Sequence, residues 1–279
     1  AKGLIRSIQK WAPEQATLME VCGTHTVAIA RNGLRSMMPE GTRLASGPGC
    51  PVCVTSNKDI DTVIALARIP GVKITTFGDM TRVPGSTSSL LKEQAAGRDI
   101  NIVYSPLDAL KIAQENPESE VVFVGVGFET TTPLVAIAIT RAQALGLKNF
   151  SVFVAHKNMP NALEAIVSDP SLKIDALILP GHVSTIIGMK PYEFLAQKYG
   201  VPGVITGFEP VDVLQGIAMI MRQLHEGRAE IEIAYKRGVE AQGNPIALAA
   251  IDEVFETVDT TWRGLGLIPQ SGYAIREKY

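Results

Sequence analysis

The chain has 279 residues, 46% of them apolar and 19% charged, with 26 basic against 28 acidic side chains. That composition excludes a disordered chain, and the near balance of charge excludes nucleic-acid binding by phosphate neutralisation. The longest apolar stretch, Val121–Phe128, is too short for a bilayer, which takes roughly 20 residues to cross.

The chain opens at Ala1, without Met, directly in a helical pattern of Leu4, Ile5, Ile8 and Trp11. No apolar segment of the signal-peptide kind follows Lys2 and Arg6, and the far end stops inside a charged segment, Arg276-Glu-Lys-Tyr279. A trimmed or processed chain is expected. Three cysteines, an odd number, point to catalysis or metal binding in a reducing cytoplasm rather than to a secreted disulfide framework.

Short β-branched runs then alternate with helical patterns. Strands are expected at Thr17–Val21, Thr42–Ala45, Lys73–Thr76, Ile100–Tyr104, Val121–Val126, Ser151–Ala155, Asp175–Leu179 and Val204–Thr206. Helices are expected between them at Thr26–Met37, Asp59–Ile69, Ser86–Ala96, Pro106–Glu115, Pro133–Leu145, Asn161–Val167 and Pro191–Tyr199. Three more follow the last strand, near Pro210–His225, Ala229–Glu240 and Pro245–Val254. Such alternation implies βαβ units and parallel sheets. The expected fold is therefore α/β: two parallel-sheet domains facing a central cleft, with extra C-terminal helices. A polar seam at Asn116-Pro-Glu-Ser119 places the domains at 1–116 and 117–225, with a helical segment at 226–279 packing on both.

Nearly every expected strand runs into a loop of Gly and chemically capable side chains, at the edge where open α/β sheets bind ligands. Short βα loops need Gly and turn formers in any case, but not Cys, His, Glu, Asp and Arg. Cys50-Pro-Val-Cys53 follows Gly47-Pro-Gly49. Two thiols at that spacing suit a disulfide, thiol exchange or half a tetrahedral metal site, set against a pair of buried apolar cysteines. Cys22-Gly-Thr-His25 leaves an apolar strand, and Thr24 or Thr26 would cap the next helix. Cys22 would then stand near a helix N-terminus that favours thiolate, with His25 close enough to share a ligand or move a proton.

Gly125-Val-Gly-Phe-Glu-Thr-Thr-Thr-Pro133 has the outline of an anion-binding loop but neither the phosphate-loop lysine nor the dinucleotide spacing. Glu129 within it is costly unless paired or used. His182 and His156 close two more strands, each singly more typical of a satisfied core or loop histidine. Asp79 and Arg82 would simply pair across one turn, and His225 falls on a polar helical face.

Taken together, Met19-Glu-Val-Cys-Gly-Thr-His-Thr26, Gly47-Pro-Gly-Cys-Pro-Val-Cys-Val54, Phe77-Gly-Asp-Met-Thr-Arg-Val-Pro-Gly85, Val126-Gly-Phe-Glu-Thr-Thr-Thr-Pro133, Leu179-Pro-Gly-His-Val-Ser184, Gly207-Phe-Glu-Pro210 and Trp262-Arg-Gly-Leu-Gly-Leu-Ile-Pro269 resemble the hydrogenase maturation factor HypD family. The resemblance covers essentially the whole chain. It implies a scaffold for the Fe(CN)2CO centre of nickel–iron hydrogenase, working with a HypC-type chaperone and a HypE-type cyanide donor. It also implies that Cys22 holds iron, with a second thiolate from the chaperone, and that Cys50 and Cys53 are redox-active. Release of cyanide from a thiocyanate takes two electrons, which a dithiol becoming a disulfide supplies.

On that footing His25, Glu129 and His182 join the two paired cysteines as catalytic candidates. Gly47, Gly49, Asp79, Arg82 and Thr130 are candidates for binding the Fe(CN)2CO cargo, the Gly-rich loops through N–H bonds to the cyanide nitrogens. Family members end in a cysteine-rich segment that binds a [4Fe–4S] cluster, whereas no cysteine follows Cys53 here. Two rival readings stay open: a general thiol–disulfide oxidoreductase using Cys50 and Cys53, and a structural zinc site of Cys22, His25, Cys50 and Cys53.

Overall fold

The computed structural model describes residues 1–279. The first elements along the chain are α1 (Lys2–Trp11), β1 (Ala16–Glu20), α2 (Gly23–Arg31), β2 (Thr42–Ser46), α3 (Pro51–Val54), α4 (Asn57–Ala67), β3 (Val72–Thr76) and α5 (Leu90–Ala95). Next come β4 (Ile100–Ile102), α6 (Pro106–Glu115), β5 (Glu120–Gly125), α7 (Thr132–Ala144), β6 (Phe150–Val154), α8 (Met159–Val167), β7 (Ala176–Pro180) and α9 (Gly181–Ile187). The chain finishes with α10 (Glu193–Tyr199), β8 (Gly203–Thr206), α11 (Pro210–Glu226), β9 (Ile231–Ile233), α12 (Pro245–Val254), β10 (Phe255–Trp262) and β11 (Gly266–Ile275). No helix is long and apolar enough to cross a membrane.

Local chemistry sets the boundaries. Ser56, Ser89 and Ser105 cap α4, α5 and α6 by accepting backbone N–H bonds from the first turn. Pro106 and Pro210 occupy first-turn positions where no N–H is missed.

The chain divides into two compact units, residues 1–50 with 160–245 and residues 51–159 with 246–279. The first carries a five-stranded sheet in the order β2-β1-β7-β8-β9, every pairing parallel. Every residue of β7 and β8 is buried, which is why both read as unbroken apolar runs. Ile8 of α1 and Leu214, Ile217 and Met221 of α11 share one apolar core with Leu18, Ile178 and Val204 of the sheet. The stripe Leu4, Ile5, Ile8, Trp11 is thus the face of α1 that its core needs.

The second unit carries a four-stranded parallel sheet, β4-β3-β5-β6, and an antiparallel hairpin, β10–β11. The hairpin touches the rest of its unit through bridges at Thr55–Trp262 and Lys157–Gly272.

All eight expected strands form, and the α/β class with two parallel sheets holds. Three expectations differ from what is found. The seam at Asn116-Pro-Glu-Ser119 is only the polar connection from α6 to β5 and lies inside the second unit, so no boundary falls there. The expected helix Ala229–Glu240 is β9 followed by turns, because Ile231-Glu-Ile233 pairs with β8. The expected C-terminal helical segment contains one helix, α12, and then the hairpin.

Candidate functional site

In the five-stranded sheet the chain leaves β1 through α2 to reach β2 on one side, while β7 lies on the other. β1 therefore stands at the switch point, where the loops diverge and leave room for a ligand. Cys22 is the second residue beyond that strand and the N-cap of α2. The helix starts at Gly23, three residues earlier than expected, so neither Thr24 nor Thr26 caps it.

Glu20, the last residue of β1, holds the turn instead, although it is 1% exposed. One carboxylate oxygen accepts the Cys22 N–H at 3.0 Å and the other accepts the Thr26 hydroxyl at 2.6 Å. An acidic residue inside an apolar strand was the available signal for this anchor. Burial pushes the Cys22 thiol above its ordinary pKa; the backbone N–H groups of Thr24 and His25 pull the other way without overcoming it, and the Glu20 charge adds to the rise. The expected thiolate is therefore not favoured by the helix end alone; a bound metal ion deprotonates such a thiol outright.

His25 is fully buried, its Nε2 2.9 Å from Gly207 O and 2.8 Å from Thr206 Oγ1. A carbonyl only accepts, so Nε2 carries the proton and Nδ1, which has no partner, is a bare nitrogen. Burial lowers the imidazole to about 4, so it is neutral at neutral pH. His25 thereby pins α2 to the end of β8, and it makes no side-chain bond to Cys22. Its ring stacks on Phe208 at 4.9 Å, and Phe208 stacks on His182 at 3.8 Å. His182 is exposed, so it presents an imidazole at the rim. Phe208 was not singled out in sequence, because its place between two histidines depends on three separate loops.

Gly47 and Gly49 were expected to donate N–H bonds to a ligand. Both groups are engaged within the protein: Gly47 N–H bonds Glu20 O at 2.7 Å and Gly49 N–H bonds Gly47 O at 2.8 Å. Gly49 serves close approach instead. A Cβ there would lie 2.2 Å from Cys22 N and 2.4 Å from its Cα, and Gly49 O accepts the Gly23 N–H at 3.0 Å. Cys50 follows directly, its Cβ 3.9 Å from where a side chain on Gly23 would begin. Cys50 and Cys53 are disulfide-bonded and Cys22 is free, so with three cysteines the bond joins the Cys-x-x-Cys pair. Cys53, on α3, is exposed. No group of three or more His, Cys, Asp or Glu side chains is placed to hold a metal, so the tetrahedral zinc set does not form.

In the second unit the candidates lie at the carboxyl edge of the four-stranded sheet, beyond β3 and β5. Asp79 and Arg82 are both exposed and make no ion pair; the Asp79 carboxylate accepts the Met80 N–H at 2.9 Å. Thr130 is exposed. Glu129 is 1% exposed, with Oε1 accepting the Met159 N–H at 2.9 Å and Oε2 without a partner. Burial raises its carboxyl to about 7. His156, beyond β6, is buried with neither ring nitrogen partnered, and burial, then Lys157, lowers it to about 3. Lys157 is fully buried; its Nζ lies 3.1 Å from Thr261 O and 5.6 Å above the Trp262 ring, and burial lowers its pKa.

These shifts fix a pH dependence. The folded chain keeps the Glu129 proton that the unfolded chain gives up from about pH 4.5, so this group's contribution falls as pH rises and is lost above about 7. His25 and His156 work in the opposite sense: the unfolded chain binds their protons below about pH 6.5, and stability falls with pH from there. Glu129→Gln removes only the first effect. Urea unfolding across pH should show the advantage of wild type over this variant shrinking between about pH 4.5 and 7, by up to roughly 3 kcal/mol. A pH-independent difference would rule out the buried acid.

Comparison with known proteins matches residues 1–279 to the HypD family model, described as the hydrogenase formation hypA family. The chain is 48% identical to the hydrogenase maturation factor HypD of Rhodobacter capsulatus, covering 100% of this chain and 76% of that protein. It is 51% identical to the hydrogenase expression/formation protein HupD of Azotobacter chroococcum mcd 1, over 95% and 72% of the two chains. It is 46% identical to HypD of Escherichia coli K12, over 94% and 70%. The chain belongs to the HypD family. Its role is in hydrogenase maturation.

The resemblance implies iron as cargo and a four-iron cluster as resident cofactor. Cys22 supplies one soft sulfur donor that is partly exposed, at a sheet switch point, and an electron-rich iron suits such a ligand. A [4Fe–4S] cluster needs four thiolates; this chain has three cysteines, two of them joined, and the residues present do not fit it.

Proposed function

We propose that this chain is the scaffold on which the Fe(CN)2CO centre of nickel–iron hydrogenase is assembled, in the cytoplasm. Cys22 holds the iron, a HypC-type chaperone supplies a second thiolate, and a HypE-type protein delivers cyanide as a thiocyanate. The observation that carries this reading is the single free thiol just beyond β1, at the switch point of its sheet, with Gly49 packed against the Cys22 backbone.

Cys50 and Cys53 supply the electrons. Starting as a dithiol, the pair reacts with the carrier thiocyanate: the carrier S–C bond breaks, one S–S bond forms, and the two thiol protons end on the carrier thiol and on hydrogen cyanide. His182 stands at the rim of the same sheet edge, open to incoming groups. Asp79 and Arg82 beyond β3 and Thr130 beyond β5, all exposed, offer charge and hydrogen bonds at the second sheet.

The test is infrared spectroscopy with iron analysis on the chain co-produced anaerobically with its partner factors. Wild type should show cyanide and carbon monoxide bands and bound iron; Cys22→Ala should lose all three while keeping its fold. Bands that survive in Cys22→Ala would overturn the assignment. The exposure of Cys53 favours one alternative, a general thiol–disulfide oxidoreductase. That reading expects reduction of generic disulfides, undiminished in Cys22→Ala.

A further inference from the structure

We infer that Glu20 is the positioning residue of the iron-holding thiol: its buried carboxylate fixes the Cys22 backbone and leaves an uncompensated negative charge beside that residue, matched to the capture of iron(II). The inference rests on the assignment of Cys22 to iron and names the group that tunes it.

Glu20 ends β1 in register with Ser46 of β2 on one side and Ile178 of β7 on the other. Its Oε2 accepts the Cys22 N–H at 3.0 Å and its Oε1 accepts the Thr26 hydroxyl at 2.6 Å. The Thr26 N–H in turn bonds Cys22 O at 3.1 Å, so the carboxylate, Cys22 and the first turn of α2 close one ring of bonds. The Glu20 carbonyl accepts the Gly47 N–H at 2.7 Å, which ties the Gly47–Cys50 turn to the same residue. Both loops that meet at Cys22 are therefore held by Glu20, one through its side chain and one through its main chain.

Holding the turn does not require a charge. A glutamine would accept the Cys22 N–H through its amide oxygen and donate to Thr26 Oγ1. Yet the residue is an acid, 1% exposed, and no Lys, Arg or His side chain forms an ion pair with it. A carboxylate buried without a cation is costly, and the positive end of α2 offsets only part of that cost. A metal cation on the Cys22 sulfur offsets the rest: a thiolate and a carboxylate side by side balance the double charge of iron(II). Groups behind a metal ligand that fix its orientation and charge in this way govern how tightly the metal is held.

The chain in complex with its chaperone, stripped of metal and titrated anaerobically with iron(II), reads the charge. Glu20→Gln should bind iron(II) about 10–100-fold more weakly than wild type. Glu20→Asp keeps the charge and can accept the N–H two residues on, as Asp does in turns, so it should bind within a few-fold of wild type. Once the centre is assembled, the carbon monoxide band of Glu20→Gln should move to higher wavenumber, because less negative charge near iron means less back-donation. A residue that only holds the turn moves neither readout. Glu20→Gln matching wild type in affinity and band position, while Cys22→Ala fails to bind, overturns this inference and leaves the iron reading standing; iron(II) held equally by Cys22→Ala overturns both. A loss in Glu20→Asp as severe as in Glu20→Gln also overturns it, since reach rather than charge would then decide. Should Glu20→Gln fail to fold, Glu20→Asn against Glu20→Asp repeats the comparison at one side-chain length, and equal affinities refute the role of the charge.

Discussion

Gly49→Ala should cost the protein both stability and its iron-holding geometry. The added methyl would meet the Cys22 backbone, 2.2 Å from N and 2.4 Å from Cα, and the carbonyl carbon of Val21 at 2.4 Å. Backbone cannot swing aside as a flexible side chain does. Either the Gly47–Cys50 turn lifts away, breaking the 3.0 Å bond from Gly23 N–H to Gly49 O, or the end of β1 is displaced. Overpacking of this kind costs about 1–3 kcal/mol and sometimes more. The denaturation midpoint should drop accordingly, and iron retained on co-production should fall toward the level of Cys22→Ala. Gly23→Ala is the matched control: its methyl would have only ordinary contacts, 3.8 Å and 3.9 Å, and should be nearly neutral in both measurements. Equal behaviour of the two variants would show that close approach at Gly49 is not what places Cys22.

Trp262→Ala should be the most destabilising single change in the second unit. The indole is fully buried and donates to Ser271 Oγ at 2.8 Å. It also stacks on Phe128 at 5.8 Å and lies beneath the Lys157 ammonium. Truncation leaves a cavity and removes one face of a buried cation's surroundings, for a loss of about 3–5 kcal/mol. In thermal unfolding that is a drop on the order of 10 °C. Trp262→Phe keeps a ring on Phe128 but not the N–H, and should lose only about 1–2 kcal/mol. If the alanine variant melts like wild type, the hairpin is not a stabilising part of its unit.

The parallel sheets were legible because each strand is a short β-branched run cut off by Gly, Pro or a helix cap, and those signals are local. The C-terminal third was not. Ile231-Glu-Ile233 alternates with period two, yet Ala229, Glu230 and Glu232 are good helix formers; only pairing with β8 decides between them. The hairpin hid behind Pro269, which argues against a central strand but is tolerated in an isolated pair. Cys22 and Cys50 in the first unit and Glu129 in the second stood out as candidates by residue type and loop position. Glu20, Phe208 and the pinning of His25 did not, since His25 meets Gly207 across 182 residues of chain. The divided units were equally invisible, because a chain that leaves one core and returns carries no local mark of doing so.

That division has a consequence for how the molecule is made. Thr17 at the start of β1 bonds Asp175, 158 residues later, just before β7. At synthesis rates of about 5–20 residues per second, β1 and β2 wait roughly 8–30 s for their third strand. Strands β3 to β6 all emerge within that interval and can form their own sheet first. The Cys22 loop acquires its neighbours Thr206 and Gly207 later still, so the thiol remains on an unfinished edge while most of the chain is already ordered. Nascent chains arrested before residue 176 should therefore present a freely alkylated Cys22, and the partial protection of that thiol should appear only once β7 and β8 have left the ribosome.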